Sequence, residues 1–330
     1  MPLARTADLL AEAVEARRGL PAFNVITLEH AEAIAAGAEL AGTPVVLQIS
    51  QNAVAYHGGR LLPLARACAE VAEAARVPTA LHLDHVEDVE LLRAAPGAGF
   101  SSAMFDASHL SHADNLQATA EAADFAHWHG LHLEAELGRV GGKDGAPPLP
   151  AHAPGARTDP QEAADFVAAT GVDALAVAVG SSHAMTSRTA TLDHELIARL
   201  AAAVPVPLVL HGSSGVPDEE LAAAVTAGLV KINIGTALNS AFTPAVRAAL
   251  AAKPDAVDPR GYLARGREAM AGVVAHLALL VASLPADGRR TAEPRSGIPE
   301  QGSAALREQG STATPVRQEA EGEAAPGAVG

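Results

Sequence analysis

The chain has 330 residues, of which 49% are hydrophobic but only 3% aromatic, and it carries a net charge of −15. Such a length and apolar content suit one large aliphatic core, and α/β barrels of about 250 residues run as a single domain. The negative charge argues against nucleic acid or anionic membrane as a partner, since no surplus of cations offsets phosphates. A small phosphorylated molecule is still allowed, because backbone N–H groups can hold it locally.

Cys68 stands alone in an Ala-rich helical stretch, which fits a buried, inert thiol and a reducing compartment. The amino terminus carries Asp8, Glu12 and Glu15 among its apolar residues and does not read as a signal peptide. No run of about 18 apolar residues occurs, so the expectation is a cytoplasmic protein with no membrane span.

Eight short apolar or alternating runs read as strands: Ala22–Ile26, Pro44–Ser50, Thr79–His85, Ser102–Ser108, Leu131–Leu137, Ala174–Gly180, Leu208–His211 and Lys231–Thr236. Segments with helical spacing separate them, among them Leu28–Ala41, Leu61–Arg76, Asn115–His129, Pro160–Thr170, Asp193–Ala203 and Pro217–Ala227. Strand alternating with helix is the signature of parallel βαβ units. Eight units predict a closed (β/α)₈ TIM barrel rather than an open sheet, and no Gly-x-Gly-x-x-Gly follows the first strand. Helical segments near Ser240–Ala252 and Gly261–Leu284 extend the barrel. From about Pro285 the composition turns to Gly, Pro, Ser, Thr, Glu, Gln and Arg. The expected organisation is a barrel domain over 1–284 and a disordered tail over 285–330.

Barrel enzymes carry their chemistry at the carboxyl ends of strands. His85, His183 and His211 finish three different predicted strands on that rim. Three imidazoles with an open fourth position suit a catalytic Zn²⁺. Asp84 directly precedes one of them, Asp106 ends the fourth strand, and Glu134 and Glu136 share one face of the fifth. For that last pair a structural ion-pair network is an equal alternative. His82 shares a strand face with Asp84, whereas His30, His57, His112, His152, His194 and His276 fall in helices or loops and read as surface or packing groups.

Two turns can hold phosphate. Gly212-Ser213-Ser214-Gly215 follows the seventh strand, and Asn233-Ile234-Gly235-Thr236 closes the eighth, each before a helix. Exposed N–H groups at helix amino termini bind anions, and these two loops are the usual phosphate site of such barrels. The loop Gly138–Gly145 carries four glycines and reads as a mobile lid. Lysine is scarce: only Lys143, Lys231 and Lys253 occur, and Lys231 is expected at the start of the eighth strand, away from the rim. That scarcity favours metal over Schiff-base chemistry.

The segments Pro-Ala-Phe-Asn24, Leu-His-Leu-Asp84-His85, Phe-Asp106-Ala-Ser-His, Glu134-Ala-Glu136-Leu-Gly, Ala-Val-Gly-Ser-Ser-His183, Leu-His211-Gly-Ser-Ser-Gly, Lys-Ile-Asn233-Ile-Gly-Thr and Asp-Pro-Arg260-Gly-Tyr-Leu run in order across residues 20–270. Together they resemble the class II, metal-dependent aldolases, in particular the shorter branch containing tagatose-bisphosphate and many bacterial fructose-bisphosphate aldolases. The resemblance implies that His85, His183 and His211 hold the catalytic metal and that Asp84 is the acid/base. Asp106 and Glu136 match a second or alternate metal site, and a monovalent cation is a further ion the resemblance allows. Gly212, Ser213, Ser214, Asn233, Ile234, Gly235 and Thr236 would bind the dihydroxyacetone phosphate half. Asn24 would line the floor, and Arg260, assisted by Ser50, would grip the distal phosphate from a neighbouring subunit of a homodimer or homotetramer.

Two departures from the family pattern stand out. Ala184 replaces the usual Gly after the second histidine, where the backbone approaches substrate. The glycine-rich loop has Lys143-Asp144 instead of the usual Glu, making Asp144 the candidate base for the C–H proton. The implied reaction is reversible cleavage of fructose or tagatose 1,6-bisphosphate to dihydroxyacetone phosphate and glyceraldehyde 3-phosphate. The rival readings are a metal-dependent barrel hydrolase and a non-catalytic barrel subunit that partners an aldolase.

Overall fold

Eight parallel strands close into a barrel in sequence order. They are β1 (Leu20–Asn24), β2 (Val45–Ser50), β3 (Thr79–Val86), β4 (Ser102–Phe105), β5 (His132–Leu137), β6 (Ala174–Val177), β7 (Leu208–Leu210) and β8 (Leu229–Ile234). The computed structural model describes residues 3–138, 157–183 and 185–283. The expected tail over 285–330 lies outside the described residues, as do Asp144, Ala184 and the glycine-rich loop beyond Gly138.

Helices flank the strands: α1 (Thr6–Glu15), α2 (Leu28–Ala41), α3 (Gln51–Tyr56), α4 (Leu61–Ala74), α5 (Val89–Ala98), α6 (His112–Trp128), α7 (Pro160–Thr170), α8 (His194–Ala203), α9 (Asp218–Ala227), α10 (Thr236–Ala252) and α11 (Pro259–Ala282). Their apolar faces cover the outer face of the sheet in one aliphatic core that includes Phe23, Leu47, Leu83, Leu133 and Phe166. Fully burying a side chain of that size stabilises the fold by about 1.5–3 kcal/mol. At Gly37 the backbone of α2 meets α11 closely, since a Cβ there would lie 2.5 Å from Val274. No helix among the described residues is long and apolar enough to cross a membrane.

Side chains alternate across a strand, so every second residue enters the barrel. Near the amino-terminal end the inward set is apolar: Leu20, Ala22, Val46 and Ala80 cluster with Leu9, Leu10 and Ala13 of α1, which plugs that end. Above this layer the interior turns polar, with Gln48, His82, Glu134 and Lys231 all essentially inaccessible. Small residues make room for them. Ala174, Ala176 and Val209 form a separate inner cluster, and Val209 lies in register with Lys231.

Lys231 therefore sits differently from expectation. Strand β8 begins at Leu229, and Lys231 is its third residue. Its ammonium points into the closed barrel and meets Glu134 Oε2 at 2.7 Å. The ion-pair alternative for Glu134 is thus what the fold contains.

Candidate active site

The carboxyl-terminal rim opens into a cavity of about 410 Å³ lined by Asn24, Ser50, Asp84, His85, Asp106, His183, Gly212, Ser213, Ser214, Asn233, Gly235 and Thr236. All of these came from the sequence. The cavity is also lined by Ile26, Gln51, Asn52, Glu87 and Asn239, which sequence reasoning passed over.

Asp84 and His85 are consecutive, yet both face this cavity. A regular strand cannot do that. The pairing of β3 with β4 shifts register between Leu83 and Val86, and His85 has φ +47°. The irregularity turns the imidazole to the side that Asp84 already occupies. A left-handed backbone at a non-glycine residue costs roughly 1–2 kcal/mol, and such strain collects at functional sites.

Behind the cavity lie His211 and Glu136, both fully buried. Glu136 Oε2 meets His211 Nδ1 at 2.8 Å, and Glu134 Oε1 meets its Nε2 at 3.0 Å. Burial opposes a charge on His211, but the bonds to Glu134 and Glu136 outweigh it and push its pKa up to about 9. Glu134 in turn is buried, which alone would favour its neutral form, yet Lys231 and His211 hold its carboxyl well below the usual range.

One ligand atom each from His85, Glu136, His183 and His211 lies within 4.8 Å of the others. Three imidazoles and a carboxylate suit a divalent cation such as Zn²⁺, for which both donor types are ordinary. The surroundings fit as well, since Asp106 Oδ2 lies 3.3 Å from His85 Nδ1 and can fix that ring. Glu136 therefore joins the three histidines directly, while Asp106 stands beside His85.

Asp84 is held by a chain of amides. Gln48 Nε2 donates to Asn24 Oδ1 at 3.2 Å, and Asn24 Nδ2 donates to Asp84 Oδ2 at 2.8 Å. Asp84 Oδ1 has no hydrogen-bond partner among the described residues. Burial disfavours its charge, but His85, His82, Lys231 and His211 together hold its pKa at about 2. The His82 Nδ1 bonds Ser102 Oγ at 2.8 Å, deeper in the barrel.

The two turns form the opposite wall. Gly212 has φ +67°, and a Cβ there would come within 2.5 Å of the Ser182 backbone, so only glycine fits. Ser213 Oγ donates to Asn233 O, and Ala237 N–H donates to Ser214 Oγ, which ties the β7 turn to the amino end of α10. Ile234 does not line the cavity; it is buried in the core. Ser50 lines it while its hydroxyl caps α3 by accepting from Ala53 N–H. Arg260 is 90% exposed at the start of α11 and paired with Asp258, and it is not among the residues lining this chain's cavity.

The family model for class II fructose-bisphosphate aldolases matches residues 4–284. The chain belongs to that family. It is an aldehyde-lyase, and enzymes of its class use a divalent metal. Among solved structures, the YdjI aldolase of Escherichia coli K12 is similar at 32% identity, covering 86% of this chain and 98% of that one, with a TM-score of 0.73. Fructose-bisphosphate aldolase of Campylobacter jejuni, at 23% identity, shares the fold with a TM-score of 0.72 over 85% of this chain and 95% of its own.

Proposed function

We propose that this aldolase cleaves and forms ketose 1,6-bisphosphates, fructose or tagatose, with Zn²⁺ as its metal. The observation that carries this reading is a four-donor cation site, two of whose donors line the cavity, beside a carboxylate oxygen without a hydrogen-bond partner among the described residues.

When bound to His85, His183, His211 and Glu136, the cation supplies Lewis-acid polarisation of the ketone oxygen. The remaining work belongs to the chain. In the cleavage direction Asp84 Oδ1 takes the proton of the hydroxyl on the carbon that becomes the aldehyde. The carbon–carbon bond breaks as that oxygen forms its carbonyl, and the electron pair leaves with the dihydroxyacetone phosphate half. Asn24 engages Asp84 Oδ2, which leaves Oδ1 for the substrate hydroxyl. General acid–base work of this kind contributes roughly 10²–10⁴ in rate. Asp144 would return a proton to the carbon.

Gly212–Ser214 and Asn233–Thr236 would bind the phosphate next to the ketone, through N–H groups at the amino end of α10. Arg260, outside this chain's own cavity, would serve the distal phosphate of a neighbouring subunit in a homodimer or homotetramer. No use of the full donor set and Asp84 is evident in a scaffold subunit.

The test is triose phosphate release from fructose and tagatose 1,6-bisphosphate, before and after chelation and Zn²⁺ restoration. Cleavage lost on chelation and restored by Zn²⁺ is the expected outcome, and the ratio of the two rates names the sugar. Cleavage that persists after complete metal removal would overturn the metal mechanism.

A further inference from the structure

His30 reads from the sequence as a packing residue, and it does not line the cavity. It is buried in the first turn of α2. Its Nδ1 lies 3.1 Å from Thr27 Oγ1, and its Nε2 lies 3.2 Å from Asn239 Oδ1. Phe242, almost one turn beyond Asn239 in α10, rests against its ring at a centroid distance of 5.8 Å. Gly266 of α11 backs Phe242 so closely that any Cβ would collide with the ring. Three helices thus fix one imidazole.

Burial holds His30 below the usual histidine range, so the ring is neutral and carries a single N–H. The bonds then have one consistent direction. Thr27 O–H donates to Nδ1, and Nε2–H donates to Asn239 Oδ1. That engages the Asn239 oxygen and leaves its Nδ2 donor over, and Asn239 lines the cavity one turn into α10.

Asn233 supports a ligand in this corner independently. It is only 7% exposed, it lines the same cavity, and neither its amide nitrogen nor its oxygen has a partner among the described residues. A buried amide left so is costly unless something polar meets it.

We propose that His30 is a positioning residue, which through Asn239 Oδ1 turns the Asn239 Nδ2 group toward the phosphate bound at the amino end of α10. The inference rests on the reading of that corner as a phosphate site. It adds a donor from the second turn of α10 and a residue that acts without touching substrate.

The experiment measures inorganic phosphate binding to metal-free protein by titration calorimetry, alongside kcat and KM for cleavage. Asn239→Ala should weaken phosphate binding about tenfold, as expected for one hydrogen bond to a charged group. Asn239→Asp should weaken it further by charge repulsion. His30→Phe keeps the aromatic volume but cannot donate, and should match Asn239→Ala, raising KM about tenfold with kcat within twofold. His30→Gln, which can still donate to Oδ1, should restore most of the affinity. In the double variant the two losses should not add. Normal binding by His30→Phe, or losses that add fully, would overturn the proposal while leaving the phosphate site intact. Failure of the wild-type protein to bind phosphate would overturn the reading of the corner itself. Asn239 is exposed near a helix start, so its variants remain informative if His30→Phe does not fold.

Discussion

Lys231 and Glu134 meet inside the closed barrel at 2.7 Å, each with essentially no solvent contact. Removing one partner of such a pair strands a buried charge, which typically costs about 3–5 kcal/mol. Lys231→Met should therefore destabilise the protein by that amount in urea denaturation. Adding Glu134→Gln should recover much of it, because the stranded charge goes too. Equal stability of Lys231→Met and wild type would show that the pair is not buried as described.

The left-handed backbone of His85 predicts an unusual order of stabilities. His85→Ala and His85→Gly both remove a metal ligand, so catalysis cannot separate them. Glycine alone relieves the strain at φ +47°. Compared without metal, the glycine variant should be more stable than the alanine variant by about 1 kcal/mol. An alanine variant that is the more stable of the two would argue against the strained turn.

Asp84→Asn tests the acid/base assignment with little change of shape. An amide oxygen can accept from Asn24 Nδ2 as Asp84 Oδ2 does now. The variant should bind metal normally, by elemental analysis, while kcat falls by roughly 10²–10⁴. Activity within tenfold of wild type would remove Asp84 from that role.

Zinc should stabilise the fold by an amount that grows with the logarithm of its concentration over Kd, about 2.7 kcal/mol at 100 times Kd. A rise in Tm on adding Zn²⁺ is expected for wild type and for Asp84→Asn. It should vanish in His183→Ala, which loses one of the four clustered donors. A shift that survives in His183→Ala would place the cation elsewhere.

Burial pushes the Cys68 thiol up to about 12. At pH 8 the group is then neutral and covered, and only the thiolate attacks disulfide reagents. Labelling by dithionitrobenzoate should occur only after denaturant is added. Rapid labelling of the folded protein would contradict the packing of α4.

How far the sequence spoke for itself varied with how local the signal was. The bounds of α7 match expectation to the residue, because Asp159 caps it, Pro160 starts it and Gly171 ends it in the left-handed conformation. Strand β1 was expected at Ala22–Ile26 and lies two residues earlier, at Leu20–Asn24, with Pro21 inside it. Helix α5 was not among the segments named from helical spacing, and Pro96 and Gly97 fall within it.

The site shows the same division. Asp84, His85, His183 and His211 could be found because strand ends are where barrel chemistry lies. Gln48, His30 and the inward turn of Lys231 were hidden, because each depends on a partner 24, 209 or 97 positions away. Glu136, expected at a second or alternate metal site, clusters with the three histidines.

Helix α1 decides how molecules travel. With Leu9, Leu10 and Ala13 sealing the amino-terminal end, and Lys231 with Glu134 filling the middle, the described residues of the barrel leave no passage from end to end. Whatever enters at the rim must leave by the same doorway. The two halves of a cleaved sugar cannot depart in opposite directions, so the fragment still bound obstructs the next substrate molecule. Turnover in such a chamber is a matter of queueing, and the last product to depart competes with new substrate for the threshold.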